Sequence, residues 1–280
     1  MRLLLWLLLL GVVLSLNVHA QRLTSSAENV PNIVHRMEAG ELRMREAAFD
    51  ELMTSIAKIE SAHQEVDEPT LLNTFMTRPP QHADRVKLGL IHLLTKENYL
   101  FVEDKTPPSD YDEDDSEHYA RLINVVASLD DERAIPALVG AMTTGGMAER
   151  GLLKYGDKAL LPVLEELKNP NETVRTAALE TSIALLETHG DDISKKRMRD
   201  LIWSSLKDPA SAVRGHAVRE IDCLSDRQDF VSVLSEIAKS DPERLPGKSL
   251  DGGDGDAFYP VRYDARTVLR DIQNNKKCNE

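Results

Sequence analysis

Three arginines stand in the same local setting along the second half of the chain. Arg175, Arg214 and Arg262 each follow a valine, and an Asn or Asp lies six residues before each of them, at Asn169, Asp208 and Asp256. A guanidinium group presents its donors as a planar fork that matches a carboxylate. If copies of this setting stack, each Arg lies near a capping Asn or Asp of its own or an adjacent copy. We interpret the arginines as structural ties between copies, in preference to an anion-binding row.

Each of these arginines needs a helix to position it. Asn169 and Asp208 are predicted to be helix N-caps, with a proline following each at the first helical position, where a missing N–H costs nothing. The valine before each Arg and an alanine four residues later share one helix face. The spacings of 39 residues between the first two arginines and 48 between the next two indicate a stacked repeat.

The phrase Asp-x-x-x-x-Val-Arg-x-x-Ala, over about residues 129 to 272, resembles HEAT repeats of the short bacterial type. The resemblance implies an α-solenoid of antiparallel helix pairs that binds partners on one surface. Some members of that family handle chromophores, modify proteins or bind DNA. The metal-dependent hydroxylase branch carries His-Glu pairs, and none of the eight His of this chain precedes a Glu. We therefore do not expect that activity.

Helical periodicity without alternating β-branched runs predicts an all-α fold throughout. Residues 21–102 are expected to form degenerate helical repeats, in which Met44-Arg45-Glu46-Ala47-Ala48 is a degraded copy of the repeat phrase. Residues 103–117 are predicted to be an acidic, proline-containing loop. Residues 118–280 are predicted to be the regular HEAT-like array, with a Gly/Asp insertion at 241–256.

The first 20 residues have the pattern of a secretory signal peptide. Arg2 precedes an apolar run over 3–14, and small residues lead to a cleavage site after Ala20. The alternative is an uncleaved anchor, but the run is shorter than the roughly 20 residues that a spanning helix prefers. We expect an exported protein, periplasmic or secreted, with no transmembrane segment after signal removal.

The charge of the chain limits the kinds of partner that we expect, and its cysteine content limits the kinds of site. Without Arg2 the chain has 33 Lys and Arg against 47 Asp and Glu, a net charge of −14, which argues against nucleic acid as a partner. Cys223 and Cys278 could pair in an oxidising compartment, or Cys223 could be a small buried residue. The two cysteines alone do not make a metal site, and no cofactor is expected.

No catalytic motif appears in the sequence: there is no nucleophile elbow, phosphate loop, dinucleotide fingerprint or zincin motif. The acidic runs at 103–117 and 251–256 suggest calcium, because Ca²⁺ prefers carboxylate oxygens. The spacing of the run at 251–256 does not fit an EF-hand loop. Solvated loops are the favoured interpretation, with Asp256 as a helix cap.

The best binding candidate is a helix predicted over Ile193–Leu206. Its Trp203 lies off the apolar stripe, and with Lys195, Lys196 and Arg199 it forms a small basic-aromatic patch on an acidic protein. Trp is over-represented at binding hot spots. The alternative is that Trp203 packs against the neighbouring repeat.

These observations favour a non-catalytic scaffold that binds a protein or peptide in the cell envelope or outside the cell. The first alternative is an enzyme accessory resembling the chromophore-lyase branch of the HEAT-type proteins. The second is an envelope structural protein stabilised by Ca²⁺ at its acidic insertions.

Overall fold

The computed structural model of the chain describes residues 30–38, 40–59, 67–77, 83–99, 113–248 and 254–276. Within these ranges the chain is predominantly helical, which confirms the all-α prediction at the level of fold class. The helices gather into two compact units that divide the chain at Leu152/Leu153. The predicted signal peptide lies outside the described residues. Among the described helices, none is both long enough and apolar enough to cross a membrane.

The first unit consists of short and medium helices with one short 3₁₀ turn before α6 and another after it. Their bounds are α1 over 30–38, α2 Leu42–Ile59, α3 Glu68–Met76, α4 Ala83–Asn98, α5 Glu113–Ser128, α6 Ile135–Gly140 and α7 Met147–Leu153.

Helix α4 is central to this unit, because it packs against both α5 and α6. Its apolar residues recur at helical spacing and are buried, as at Val86, Leu90 and Leu94. The approach of α1 to α4 is close: a Cβ added at Gly89 would lie 2.5 Å from the Val34 side chain.

The second unit has helices α8 Asp157–Glu165, α9 Glu172–Glu187, α10 Asp192–Ser205, α11 Ser211–Ile221, α12 Val231–Ser240 and α13 Pro260–Gln273. The three helices that carry the repeat phrase pack in sequence, α9 on α11 and α11 on α13. The intervening helices pack on them, with α8 and α10 on α9, α10 on α11, and α12 on α13. The valine and alanine predicted for the core are buried in the second and third copies, at Val213, Ala217, Val261 and Ala265.

The first two repeat helices begin later than predicted. The N-cap of α9 is Asn171, whose side chain accepts from the Thr173 N–H, and α11 follows Ala210. Asn169 and Asp208 instead accept from the backbone N–H two residues on, at 2.9 and 2.8 Å. These are Asx turns, which Asn and Asp form readily. The proline inside each turn therefore lies before the helix and not at its first position.

The insertion at 241–256 contains a β-hairpin, which the all-α prediction did not include. Strand β1 is Leu245–Lys248 and strand β2 is Asp254–Phe258, paired antiparallel with Leu245 opposite Phe258. Asp256 belongs to β2, and the residue before α13 is Tyr259. The prediction that Asp256 caps this helix is wrong, because the hairpin places it in an extended strand.

The predicted acidic loop is shorter than expected at its C-terminal end. Helix α5 begins at Glu113, whereas the sequence predicted a helix from His118. The remainder of that loop, 103–112, lies outside the described residues. Carboxylates suit the first turn of a helix, because they complement its dipole, and this favours the earlier start.

Candidate interaction surface

Arg175 forms a tie between two copies of the repeat. Its Nε and Nη2 donate to both carboxylate oxygens of Asp208, at 2.9 and 2.8 Å, across 33 residues of chain. Its Nη1 donates to the carbonyl oxygens of Asn169 and Pro170, at 2.8 and 3.0 Å. One guanidinium group therefore joins the turn before its own helix to the turn before the next repeat helix. We call such an Arg, with its carbonyl and carboxylate partners, a rung.

Arg214 forms a second rung with the same chemistry. It donates to both carboxylate oxygens of Asp241, at 2.8 and 3.0 Å, and to the carbonyl oxygens of Asp208 and Pro209, at 2.9 and 2.8 Å. The Arg214 and Asp241 side chains are only 10% and 4% exposed. Desolvation of a buried ion pair is costly, so each partner requires the other.

The carboxylates of both rungs remain ionised. Burial raises the pKa of Asp241, but hydrogen bonds from Arg214 and the Glu243 N–H, and the Arg214 and Arg262 charges, outweigh this and hold the pKa below its usual value. The pKa of Asp208 is lowered through the same balance, with Arg175 as donor.

Arg262 stands at the position of a third rung but makes a different set of contacts. Its Nε donates to the carbonyl oxygen of Asp241 at 2.7 Å, and its guanidinium lies 4.1 Å from the centre of the Tyr259 ring. The sequence assigned Asp256 to it, but the backbone of Asp256 belongs to strand β2 and not to the turn that ends a helix. The residue that corresponds to Asn169 and Asp208 is Asp241, 21 residues before Arg262, because it too accepts from the backbone N–H two residues on.

Arg45 in the first unit repeats the pattern in the degraded copy. It donates to the carbonyl oxygen of Gly40 at 2.8 Å and to the carboxylate of Glu97 at 2.7 Å. Glu97 is fully buried. Next to it, Asn98 donates to the Ala137 carbonyl at 2.7 Å and accepts from the Tyr119 hydroxyl.

The four residues predicted to bind a partner do not form one free patch. Arg199 donates to the carboxylates of Asp226 and Asp229. Trp203 is partly buried and stacks on Phe230 with ring centres 4.8 Å apart. Trp203 thus packs on the 3₁₀ turn Arg227–Phe230 before α12, which agrees with the alternative interpretation of packing between repeats. Of the four, Lys195 and Lys196 are the two that are exposed.

A different apolar cluster is exposed beside the hairpin. Leu245 and Phe258 lie opposite each other on β1 and β2, and the Phe258 ring is 5.7 Å from the ring of Tyr263 on α13. All three side chains are exposed. The sequence signal for this cluster was the run Phe258-Tyr259-Pro260 before the third Val-Arg, which we interpreted only as part of the repeat.

A polar cleft of about 230 Å³ lies in the first unit, lined by Arg43, Glu46, Asp50, Glu117, His118 and Arg121. Both of its arginines pair with acids of the cleft. Arg43 lies 3.1 Å from Glu46, and Arg121 lies 3.0 Å from Asp50. The two arginines are therefore already committed to carboxylates.

Cys223 is disulfide-bonded and exposed, so the interpretation as a small buried residue is wrong. The only other cysteine in the sequence is Cys278, which lies outside the described residues. Close by, Arg227 donates to the Asp222 carboxylate and to the Lys276 carbonyl.

Among the described residues, no group of three or more His, Cys, Asp or Glu is arranged to hold a metal ion. The chain matches no model of a known protein family, and no curated protein matches it either.

Proposed function

We propose that this chain is an exported, non-catalytic scaffold of stacked HEAT-like helix pairs that binds a protein partner. The observation that carries the proposal is the rung. Arg175 and Arg214 make the same carbonyl and bidentate carboxylate bonds, one helix pair apart. Repetition of one bonding pattern along α9 and α11 is what a solenoid built from copies requires.

The packing within the second unit supports the same architecture. Each phrase-bearing helix packs on the next, and α10 and α12 are interposed in sequence between them. The first unit supports it through Arg45, which bonds a carbonyl five residues back as Arg175 and Arg214 do.

A binding role follows from what the scaffold exposes. The side chains of Arg175 and Arg214 are hydrogen-bonded to carboxylates within the scaffold. In contrast, the side chains of Leu245, Phe258 and Tyr263 are exposed to solvent. An exposed apolar cluster rimmed by charged residues is typical of a protein-binding surface. The calcium alternative concerns the acidic runs at 103–117 and 251–256, which are only partly among the described residues, and it stays untested.

The test is cross-linking in the native cells with a tagged full-length chain, followed by mass spectrometry. Two surface variants serve as matched controls: Lys195→Glu with Lys196→Glu on α10, and Arg266→Glu with Arg270→Glu on α13. We expect at least one protein to be enriched with the wild-type chain and lost with one of the two variants. No enrichment, or the same proteins with all three chains, would refute a binding scaffold. N-terminal sequencing of the exported form should begin at Gln21.

A further inference from the structure

One side of α13 carries cations and an aromatic ring without any acid. Residues three, four and seven apart lie on one side of a helix, and on α13 these include Tyr263, Arg266 and Arg270. Tyr263 is 57% exposed, and the Arg270 side chain is 65% exposed. The opposite side is the buried one, formed by Val261, Ala265, Val268 and Ile272.

The acids of α13 lie off this side. Asp264 bonds Arg219 of α11 at 2.7 Å, and the Asp271 side chain is mostly buried. The whole chain has a net charge of −13. A solvated face would be expected to share that acidic composition, so a face with only cations indicates a specific electrostatic complement.

Arg262 lies at the edge of this side, at the position of a third rung. It keeps the carbonyl contact, because the Asp241 carbonyl takes the place of the Asn169 and Asp208 carbonyls. Among the described residues, however, no carboxylate is hydrogen-bonded to it. A guanidinium group held by one carbonyl and one aromatic ring retains donors that suit an incoming carboxylate.

We propose that this surface, formed by Arg262, Tyr263, Arg266 and Arg270 with Phe258 at its edge, binds an acidic segment of a partner protein. We call it the α13 face. The segment supplies Asp or Glu carboxylates to the arginines and an apolar side chain to the two aromatic rings. The inference rests on the proposed scaffold function and names the chemistry of its partner.

The arginines of the α13 face are available for this role. Arg266 donates to the Ala238 carbonyl at 3.0 Å, which positions the side chain without neutralising its charge. The Arg270 Nε lies 3.8 Å from a carboxylate oxygen of its neighbour Asp271, which is beyond hydrogen-bond distance. Aromatic and Arg side chains together are the composition enriched at protein interfaces.

The test measures fluorescence anisotropy of a short labelled peptide made of Asp, Glu and Leu, titrated with the full chain. The same peptide with Asn and Gln in place of its acids is the control ligand. We expect Arg266→Glu with Arg270→Glu to weaken binding about tenfold or more, because two attractive pairs become repulsive. Arg270→Glu alone should weaken it by a smaller factor.

Two further measurements serve as controls for the peptide titration. Lys195→Glu with Lys196→Glu reverses the same number of charges in the same unit, and it should change the affinity by less than about twofold, as rim charges do. Circular-dichroism melting checks that each variant is folded. Because Arg266 contacts Ala238, Arg270→Glu is the variant that keeps the test valid if the double variant is unstable.

Several results would overturn the inference. One is equal affinity of the wild-type chain for the Asn/Gln peptide and the acidic peptide. Another is a loss of affinity in the α10 variant as large as that in the α13 variant. Vesicles of equal parts phosphatidylserine and phosphatidylcholine that bind where the acidic peptide does not would assign the face to lipid. If the cross-linked partner is lost with the α10 variant alone, this inference fails and the scaffold function stands. If no partner is cross-linked at all, the scaffold function fails.

Discussion

Replacing Asp241 with Ala tests whether the rungs hold the helix pairs together. The Asp241 carboxylate accepts two bonds from Arg214 and one from the Glu243 N–H, at 2.8, 3.0 and 3.0 Å. Its removal leaves the Arg214 charge buried with only carbonyl partners. Breaking a buried pair costs about 3–5 kcal/mol. Because Arg214 retains two carbonyl acceptors, we expect a loss near the lower end, about 3 kcal/mol.

The matched control is a more exposed ion pair whose arginine also lies on α11. Arg219 on α11 and Asp264 on α13 are 2.7 Å apart with side chains 56% and 21% exposed. Exposed pairs contribute about 0–1 kcal/mol, so Asp264→Ala should cost less than 1 kcal/mol. The assay is urea unfolding of the chain from Gln21 onward, in which Trp203 is the only Trp.

A double-mutant cycle separates the pair from its surroundings. Arg214→Met leaves the Asp241 carboxylate buried, whereas Arg214→Met with Asp241→Ala removes both charges. We expect a coupling energy of at least about 1 kcal/mol, because the two residues share bonds. Additive single-variant losses, or an Asp241→Ala loss no larger than that of Asp264→Ala, would refute the interpretation of the rung as an inter-repeat tie.

The same pair predicts that the free energy of unfolding decreases at low pH. The folded pKa of Asp241 is lowered, so the unfolded chain, with a pKa of about 3.9, binds the proton more readily. The stability from this carboxylate is therefore present above about pH 4 and is lost as the pH falls through the folded pKa. Asp241→Asn, which cannot ionise, should be less stable than wild type at pH 7 and approach it at low pH. An equal deficit at all pH values would contradict this.

Three other measurements follow from the second unit. Phe230 is fully buried and stacks on Trp203, so Phe230→Ala should cost about 3–5 kcal/mol and shift Trp203 emission, whereas a loss under 1 kcal/mol would contradict the packing. Reduction of the Cys223 disulfide should lower stability by about 2–4 kcal/mol in urea unfolding, and equal midpoints with and without reductant would contradict this. Burial, and then the charge of Glu220, raise the pKa of Glu187, so the ionised form of Glu187 destabilises the fold. Glu187→Gln should therefore raise Tm at pH 7 and not at pH 4. An equal gain in Tm at both pH values would contradict this.

The sequence predicted the helices well because their signals are local. The helix predicted over Ile193–Leu206 is α10, Asp192–Ser205, which differs by one residue at each end. Arg45 was also recognised as a degraded copy, and the structure gives it rung contacts with Gly40 and Glu97. Glu97 itself was not predicted, because its contact spans 52 residues and the spacing of the repeat does not extend to it.

The predicted binding patch on α10 did not form because side chains choose partners in three dimensions. The helix period placed Lys195, Lys196, Arg199 and Trp203 on neighbouring sides of one helix. All four residues do lie on α10. The helix period carries no information about Asp226, Asp229 and Phe230, which lie in the turn before α12. The two carboxylates accept hydrogen bonds from Arg199, and the Phe230 ring stacks on Trp203. A local pattern cannot reveal that a cation is already neutralised.

The error at Asp256 shows what determines a rung. Counting six residues back from Arg262 selected Asp256, but the bonding requires an Asp in the turn that ends the preceding helix. The sequence did contain that signal: Asn169, Asp208 and Asp241 are each followed by proline at the end of a helix. The hairpin separates the last Asp-Pro turn from its Val-Arg by 15 additional residues, yet the Asp241 carbonyl still reaches Arg262. The tie therefore depends on the position of the turn in space, and an insertion is tolerated where it leaves that turn in place. The same insertion brings Phe258 against Tyr263, which places aromatic surface beside Arg262, an arginine that no carboxylate among the described residues hydrogen-bonds.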